Sequence, residues 1–384
     1  MHDVEIVGDE AAINEEALAD VPKIYTPPHM EGRELVRAGV LLPFTDRRAG
    51  VRDQSEGMLA AIELALFDHA GLNVVLLPKD SAGDSAQAAA MAETLRDEGA
   101  DFVLGPLFGA SVISARDVLS PEGVPLIAFS NDAAAAGGGA WLASIAPEAE
   151  VTEIIDYAIS RGYDSFAFFG PQNSLGEQVE RTMQFEVARH GAQMIAARFY
   201  PADAISPDIE AADFARNVEA AVKRGQRVAV LVPERGTKLR RIAPLLAYHG
   251  VDTRQVRMLG LASWNDPSIW REPSLNGAWF PAPPPLEVID FDARYERQYG
   301  RPPSSLAAIA YDAAALAIAL SDDGDLTTEE LTNRDGFAGV NGLFRFRYDG
   351  TAERSLAIMQ IDPLAERGVT EIRPVASGFD PSTS

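Results

Sequence analysis

The chain has no cysteine among its 384 residues. That absence excludes structural disulfides, thiolate metal sites and a cysteine nucleophile, and it leaves the fold indifferent to the redox state of its compartment. Lysine is almost missing too. Lys23, Lys79, Lys223 and Lys238 are its only occurrences, so arginine carries the rest of the positive charge. With 57 acidic against 33 basic residues the formal charge is −24. Nucleic acid calls for a basic face and anionic lipid for a polybasic patch, so neither is expected as a partner. No apolar run approaches the ~20 residues that cross a bilayer. The start, Met1-His-Asp-Val-Glu-Ile6, has neither the basic nor the apolar part of a secretion signal. It fits a cytoplasmic protein, or a mature one from which a signal, with or without a lipidated cysteine, has been removed.

Catalytic signatures are equally scarce. There is no Gly-x-Ser-x-Gly elbow, no Walker phosphate loop and no Gly-x-Gly-x-x-Gly fingerprint. The histidines His2, His29, His69, His190 and His249 are scattered, and no two stand four apart. Without cysteine or a histidine pair, a transition-metal site is not expected. Carboxylates abound, but no pair lies in a context that would separate their pKa values. The expectation is therefore a protein that is not an enzyme and that holds no cofactor and no metal.

What the chain does have is alternation. Residues 1–34 form an acidic, then Pro-rich leader, expected to be flexible. From there apolar periods near 2 and near 3.6 take turns: strands at Val36–Leu42, Asn73–Leu77, Phe102–Leu104 and Leu126–Phe129, helices at Ser55–Ala70, Ser85–Glu98 and Ser111–Leu119. After the Ala/Gly run 133–139 the theme restarts, with strands at Ser165–Phe169, Met194–Tyr200, Arg227–Val232 and Val256–Leu261 separated by helices. Pro281–Pro285 reads as a stiff connector. Two helices, Glu287–Tyr299 and Ser305–Leu320, and a strand at Leu356–Ile361 follow. Such βαβ succession predicts an α/β fold with parallel sheets, and the length predicts two lobes. In parallel sheets ligands collect outside the carboxyl ends of the strands. That places the binding candidates where Phe102–Leu104 runs into Gly105-Pro-Leu-Phe-Gly-Ala-Ser111 and where the next strand ends at Ala128-Phe-Ser130.

Several phrases, in order, resemble the type I periplasmic solute-binding proteins of the leucine/isoleucine/valine-binding class: Val40-Leu-Leu-Pro-Phe-Thr45, Gly105-Pro-Leu-Phe-Gly-Ala-Ser111, Ile127-Ala-Phe-Ser130, Ala310-Tyr-Asp-Ala-Ala-Ala-Leu-Ala-Ile-Ala-Leu320 and Phe337-Ala-Gly-Val-Asn-Gly-Leu-Phe-Arg-Phe346. The resemblance covers roughly residues 35–365. It implies two Rossmann-like lobes with central parallel sheets, closing like a Venus flytrap and joined by multiple crossovers. The lobes would be 35–147 plus 286–335 and 148–285 plus 336–365, with a tail over 366–384 and hinges near Pro147, Pro281–Pro285 and Gly336. Leu41-Leu-Pro-Phe44, Gly105-Pro-Leu107 and Ser144-Ile-Ala-Pro-Glu-Ala-Glu150 are similar, more narrowly, to penicillin-binding-protein activators. These are outer-membrane lipoproteins that stimulate peptidoglycan synthases by contact.

The resemblance implies a periplasmic, non-catalytic protein with candidate crevice residues Ser111, Ala128, Phe129, Ser130, Ser174, Leu175, Glu234, Ser263 and Trp264. In amino-acid binders of the class, a serine hydroxyl and backbone N–H groups hold a ligand carboxylate, and acidic residues hold its ammonium. Ser111 and the stretch Ala128–Ser130 supply the first half, although Ser111 reads equally well as a helix N-cap. The second half is incomplete: the expected acids fall near Ala149 and Ser263, and the closing aromatic falls at Leu175 after Ser174. Glu234 can substitute, or it and Arg235 form a solvated loop. Trp264, Trp270 and Trp279 line a pocket, form a docking surface or are core. Asp46-Arg-Arg48 faces the rim or is a surface ion-paired loop. The leading expectation is an activator-like regulator of peptidoglycan synthesis, partnered by a synthase. The alternative is a transport receptor for an amino acid or small carboxylate, partnered by an ABC permease.

Overall fold

The computed structural model describes residues 30, 32, 34–69, 73–321 and 326–379. The expected leader, 1–34, lies almost wholly outside the described residues. Among them, no helix is long and apolar enough to cross a membrane.

The first sheet is built from β1 (Val36–Leu42), α1 (Ala49–His69), β2 (Val74–Asp80), α2 (Ser85–Asp97), β3 (Phe102–Leu104), α3 (Gly109–Leu119), β4 (Leu126–Ala128) and β5 (Ala140–Leu142). Its strands are all parallel, in the order β2-β1-β3-β4-β5. The chain then enters α4 (Pro147–Ser160), β6 (Ser165–Gln172), α5 (Ser174–Arg189), β7 (Gln193–Pro201), α6 (Asp208–Lys223), β8 (Val228–Leu231), α7 (Gly236–Tyr248), β9 (Arg257–Leu259) and β10 (Trp279–Ala282). It returns through α8 (Pro285–Tyr299), α9 (Ala307–Leu320) and α10 (Thr328–Leu331), then β11 (Phe337–Gly339), β12 (Gly342–Phe346), β13 (Ala352–Ser355), β14 (Ala357–Ile361) and β15 (Val369–Arg373). The second sheet runs β15-β14-β10-β9-β8-β6-β7, and β11-β12-β13 form a small third sheet.

Each long helix finds its place by its apolar face. α9 is apolar on every face apart from Asp312 and is buried over most of its length, packed with α1 in the core that lies behind β1 and β3. Phe344 and Phe346 of β12 join this same core. The stretch 336–365 is therefore divided: β11–β13 pack with the first core, β14 with the second, and the change falls at Leu356 rather than at Gly336. The expected tail is no tail, because Val369–Arg373 pairs antiparallel with β14. The expected connector Pro281–Pro285 begins as strand β10. Pro281 fits there because the pairing with β9 is confined to Trp279 and Leu259, so its missing N–H is not needed on that side. β5, β13 and β15 were also unforeseen; each is five residues or fewer, too short to display a period.

The loop after β3 depends on one glycine. Gly105 adopts φ +98°, and a Cβ there would collide with the Leu41 carbonyl oxygen of β1. Gly105→Ala should therefore lower stability by ~2–4 kcal/mol, combining a left-handed alanine with overpacking against backbone. Thermal unfolding followed by circular dichroism checks this; an unchanged midpoint would show that the loop can move aside.

Candidate functional site

On the first sheet, the carboxyl ends of β3 and β4 are stitched together. Phe129 N–H donates to the Pro106 carbonyl at 3.0 Å, and the Ser144 hydroxyl donates to the Phe129 carbonyl at 2.5 Å. Ala128 and Phe129 are buried, so the expected backbone donor stretch is largely spent inside the fold. Ser130 is buried as well, its Oγ accepting from the Asp132 N–H at 3.1 Å. Ser111 neither begins α3 nor caps it. The helix starts at Gly109, the N-cap is the extended Phe108, and Val112 N–H already bonds the Phe108 carbonyl. Ser111 lies buried in the first turn. Asp46 is buried, not a surface loop residue: it accepts from Arg48 N–H, Nε and Nη2 at 2.8, 2.9 and 2.8 Å. Those bonds hold its carboxyl down at about 2. The Arg48 guanidinium lies 4.8 Å from the centre of the Phe108 ring.

On the second sheet, the end of β8 carries Glu234, and it is not in a solvated loop. It is buried, accepting from the Tyr200 hydroxyl at 2.5 Å and pairing with Lys238 at 3.0 Å. Burial and the Glu234 carboxylate together push the Tyr200 hydroxyl pKa far up, so it remains a donor. The Trp264 indole N–H donates to the Glu234 carbonyl at 2.8 Å, and the ring is fully buried on Gly260, where no Cβ would fit. Trp264 and Trp279 are core, and half-buried Trp270 donates its indole N–H to the Trp264 carbonyl at 2.9 Å. Ser263 is exposed in the turn that Trp264 closes. Ser174 and Leu175 are exposed in the first turn of α5, where Asn173 supplies the cap by accepting from Gly176 N–H at 2.9 Å. The fold thus brings Ser111, Ala128, Phe129 and Ser130 to one sheet edge and Glu234, Ser263 and Trp264 to the other.

The residues missed from sequence are Glu150, Asp132 and Tyr200. Glu150 stands one position after Ala149, and its Oε2 accepts from the Ala262 N–H, next to Ser263, at 2.7 Å. One carboxyl therefore serves both places where the resemblance put an acid. Its position in Pro147-Glu-Ala-Glu150, opening a helix, was the available signal. Burial raises it to about 7. Asp156, Glu186 and His190 bring possible metal-ligand atoms within 4.8 Å of one another. Arg189 already sits among them, paired with Asp156 at 3.0 Å and Glu186 at 2.7 Å, so the cation's place is taken.

Two parallel-sheet lobes with loops gathered at the strands' carboxyl ends and several crossovers define a binding protein of the type I periplasmic class. The chain belongs to the periplasmic binding protein family, whose model matches residues 36–368. Solved structures carry the same fold. A branched-chain amino acid ABC transporter protein from Rhodospirillum rubrum superposes with TM-score 0.76 at 19% identity, covering 88% of this chain and 100% of that one. An ABC transporter substrate-binding protein from Desulfitobacterium hafniense, in complex with Leu, gives 0.61 at 17% identity, with 88% and 100% covered. A solute-binding protein from Rhodopseudomonas palustris, in complex with 3,4-dihydroxybenzoic acid, gives 0.60 at 15% identity, with 91% and 99% covered. Among curated proteins, penicillin-binding protein activator LpoA from Vibrio vulnificus is 26% identical over 113 residues, which is 28% of this chain and 19% of that protein.

The raised pKa of Glu150 has a measurable sign. A carboxyl that holds its proton more tightly in the folded state stabilises the fold at low pH, and that contribution is lost as pH rises from 4.5 through about 7. Glu150→Gln cannot ionise, so the stability difference between wild type and variant should move by about 3 kcal/mol across this window, against the wild type at the alkaline end. Thermal unfolding at pH 4.5 and pH 8 reads it; a difference independent of pH would show that Glu150 is solvated.

Proposed function

We propose that this protein is a non-catalytic receptor of the periplasm that closes its two lobes around a small organic molecule and presents it to a membrane ABC permease. The observation that carries this reading is the family match across both lobes, with polar loops collected at the carboxyl ends of the parallel strands of two separate sheets. The nearby folds are ABC-transporter substrate-binding proteins, and among them are ones solved with Leu, with 3,4-dihydroxybenzoic acid and with benzoate. Lobe closure by hinge motion is the ordinary way such a crevice encloses its ligand. A second reading, regulation of a peptidoglycan synthase by contact, is favoured by the stretch shared with the LpoA activator.

A thermal-shift screen of amino acids, amines, polyols, sugars and aromatic acids separates the two. A true ligand at one hundred times its Kd adds ~2.7 kcal/mol and raises the melting temperature clearly. The receptor reading predicts such a ligand, together with no retention of the protein by an immobilised bifunctional peptidoglycan synthase. Retention on the synthase with no responsive compound would reverse the order of the two readings.

A further inference from the structure

On the surface of the second lobe, three large apolar side chains face water at one place. Ile205 is 74% exposed, Ile209 76% and Tyr248 82%. They make up three of the ten such residues exposed among the described ones, so the exposure is concentrated rather than scattered. They gather because the chain between β7 and α6 runs as a strap along α7. Lys238, in the first turn of α7, donates from Nζ to the Ala202 carbonyl at 2.8 Å. At the far end of the helix His249 Nε2 lies 3.5 Å from Asp208 Oδ1, and the Tyr248 ring stands edge-on to His249 with centroids 5.1 Å apart. Leu239, Ile242, Ala243 and Leu246 bury the inner face of α7, so helical spacing puts Arg241 and Tyr248 on its outer ridge. The charge around this apolar spot is split. α7 carries Lys238, Arg240 and Arg241 and no acid, on a chain of formal charge −24. Arg240 and Arg241 are exposed and form no ion pair among the described residues. The strap and the start of α6 carry the exposed acids Asp203 and Asp208.

Single exposed apolar residues need no explanation, but a cluster rimmed by charge has the make-up of a protein interface. A surface with bases on one side of its apolar spot and acids on the other is its own complement. A two-fold rotation brings each set opposite the one it attracts. We propose that this face joins two copies of the chain. Ile205, Ile209 and Tyr248 of both copies form the centre, and Arg240 and Arg241 of each meet Asp203 and Asp208 of the other. The apolar centre supplies most of the affinity, since exposed ion pairs contribute little, and the charges set the orientation. This contact does not depend on what the crevice holds.

Sedimentation velocity over a concentration series up to ~100 µM tests it, a range in which a homodimer of Kd ~10 µM is mostly assembled. Wild type should run as a dimer at the upper end. Ile209→Glu/Tyr248→Glu should weaken association roughly a hundredfold or more, with the melting temperature unchanged because both side chains face solvent. Arg240→Glu/Arg241→Glu and Asp203→Lys/Asp208→Lys should each weaken it about tenfold. Mixing these two variants should restore the dimer, since each reversed set then meets its complement. Cross-linking gives a second reading, which decides where a variant melts early. In a chain without cysteine, Tyr248→Cys should be joined to its own copy by a short bismaleimide, and Phe67→Cys, at an exposed position of α1, should not. A wild type that stays monomeric throughout the series would overturn the proposal. So would a dimer that survives Ile209→Glu/Tyr248→Glu, a mixture of folded charge variants that stays monomeric, or equal cross-linking of the two cysteine variants.

Discussion

Covering both faces of a parallel sheet leaves its strands no room for chemistry along their length. In the first lobe, Ala38, Val40, Leu42, Phe102, Leu104 and Ile127 point into the core shared with α1 and α9. Leu41, Val103, Leu126 and Ala128 point into the core under α2 and α3. In the second lobe, Phe168, Leu231 and Leu259 face one side while Ala167, Phe169 and Val230 face the other. A polar side chain at any of these positions would be buried without a partner, at a cost of several kcal/mol. Polar function is therefore forced to the strand ends, and the helices' dipoles make the carboxyl ends the favourable ones.

The crossovers obey a different constraint, because they must carry charge through the interior. Arg354 of β13 is buried, donates to the Ala143 carbonyl just beyond β5, and lies 4.7 Å from the centre of the Phe344 ring. Asp312 of α9 is its counter-charge, and it also accepts from Val340 N–H at 2.7 Å and from Asn341 N–H and Nδ2 at 3.0 and 2.9 Å. Burial lowers Arg354 to about 10 and raises Asp312, the direction expected when both ions leave water. Such a pair contributes position more than stability. On the other side of Leu356, Glu153 of α4 accepts from the Leu356 N–H and pairs with Arg373 of β15. The change of lobe at Leu356 is thus pinned on either side.

The architecture was legible because period-2 and period-3.6 segments alternate so regularly, and β3 ends where the apolar run Phe102–Leu104 ends. β13 and β15 escaped notice because four or five residues without an uninterrupted apolar run show no period, and β5 because it directly follows the Ala/Gly run 133–139. β10 was disguised by Pro281, a residue that only its local pairing makes acceptable. The site was less legible for a different reason. Whether Ser111 caps a helix depends on where α3 begins, and that is decided by Phe108 adopting an extended backbone, not by the preference of serine. Glu234 follows a strand and looks solvated, but Tyr200, far away in sequence, encloses it. Glu150 acts through its contact with Ala262, and sequence spacing does not report such a pair.

An acidic chain has carboxylates to spare at these edges, where loops need holding, beyond those paired with a cation such as Asp46 with Arg48 and Glu234 with Lys238. The solution recurs. Asp80 accepts from Thr45 N–H at 3.2 Å and Ala82 N–H at 2.9 Å, Glu150 from Ala262 N–H, and Asp132 from Ala134 N–H. Each carboxylate consumes backbone donors that the strand ends leave orphaned, which strengthens both partners because one of them is charged. The excess of acid over base is thereby put to structural use: carboxylates accept from backbone N–H groups in turns at both carboxyl edges.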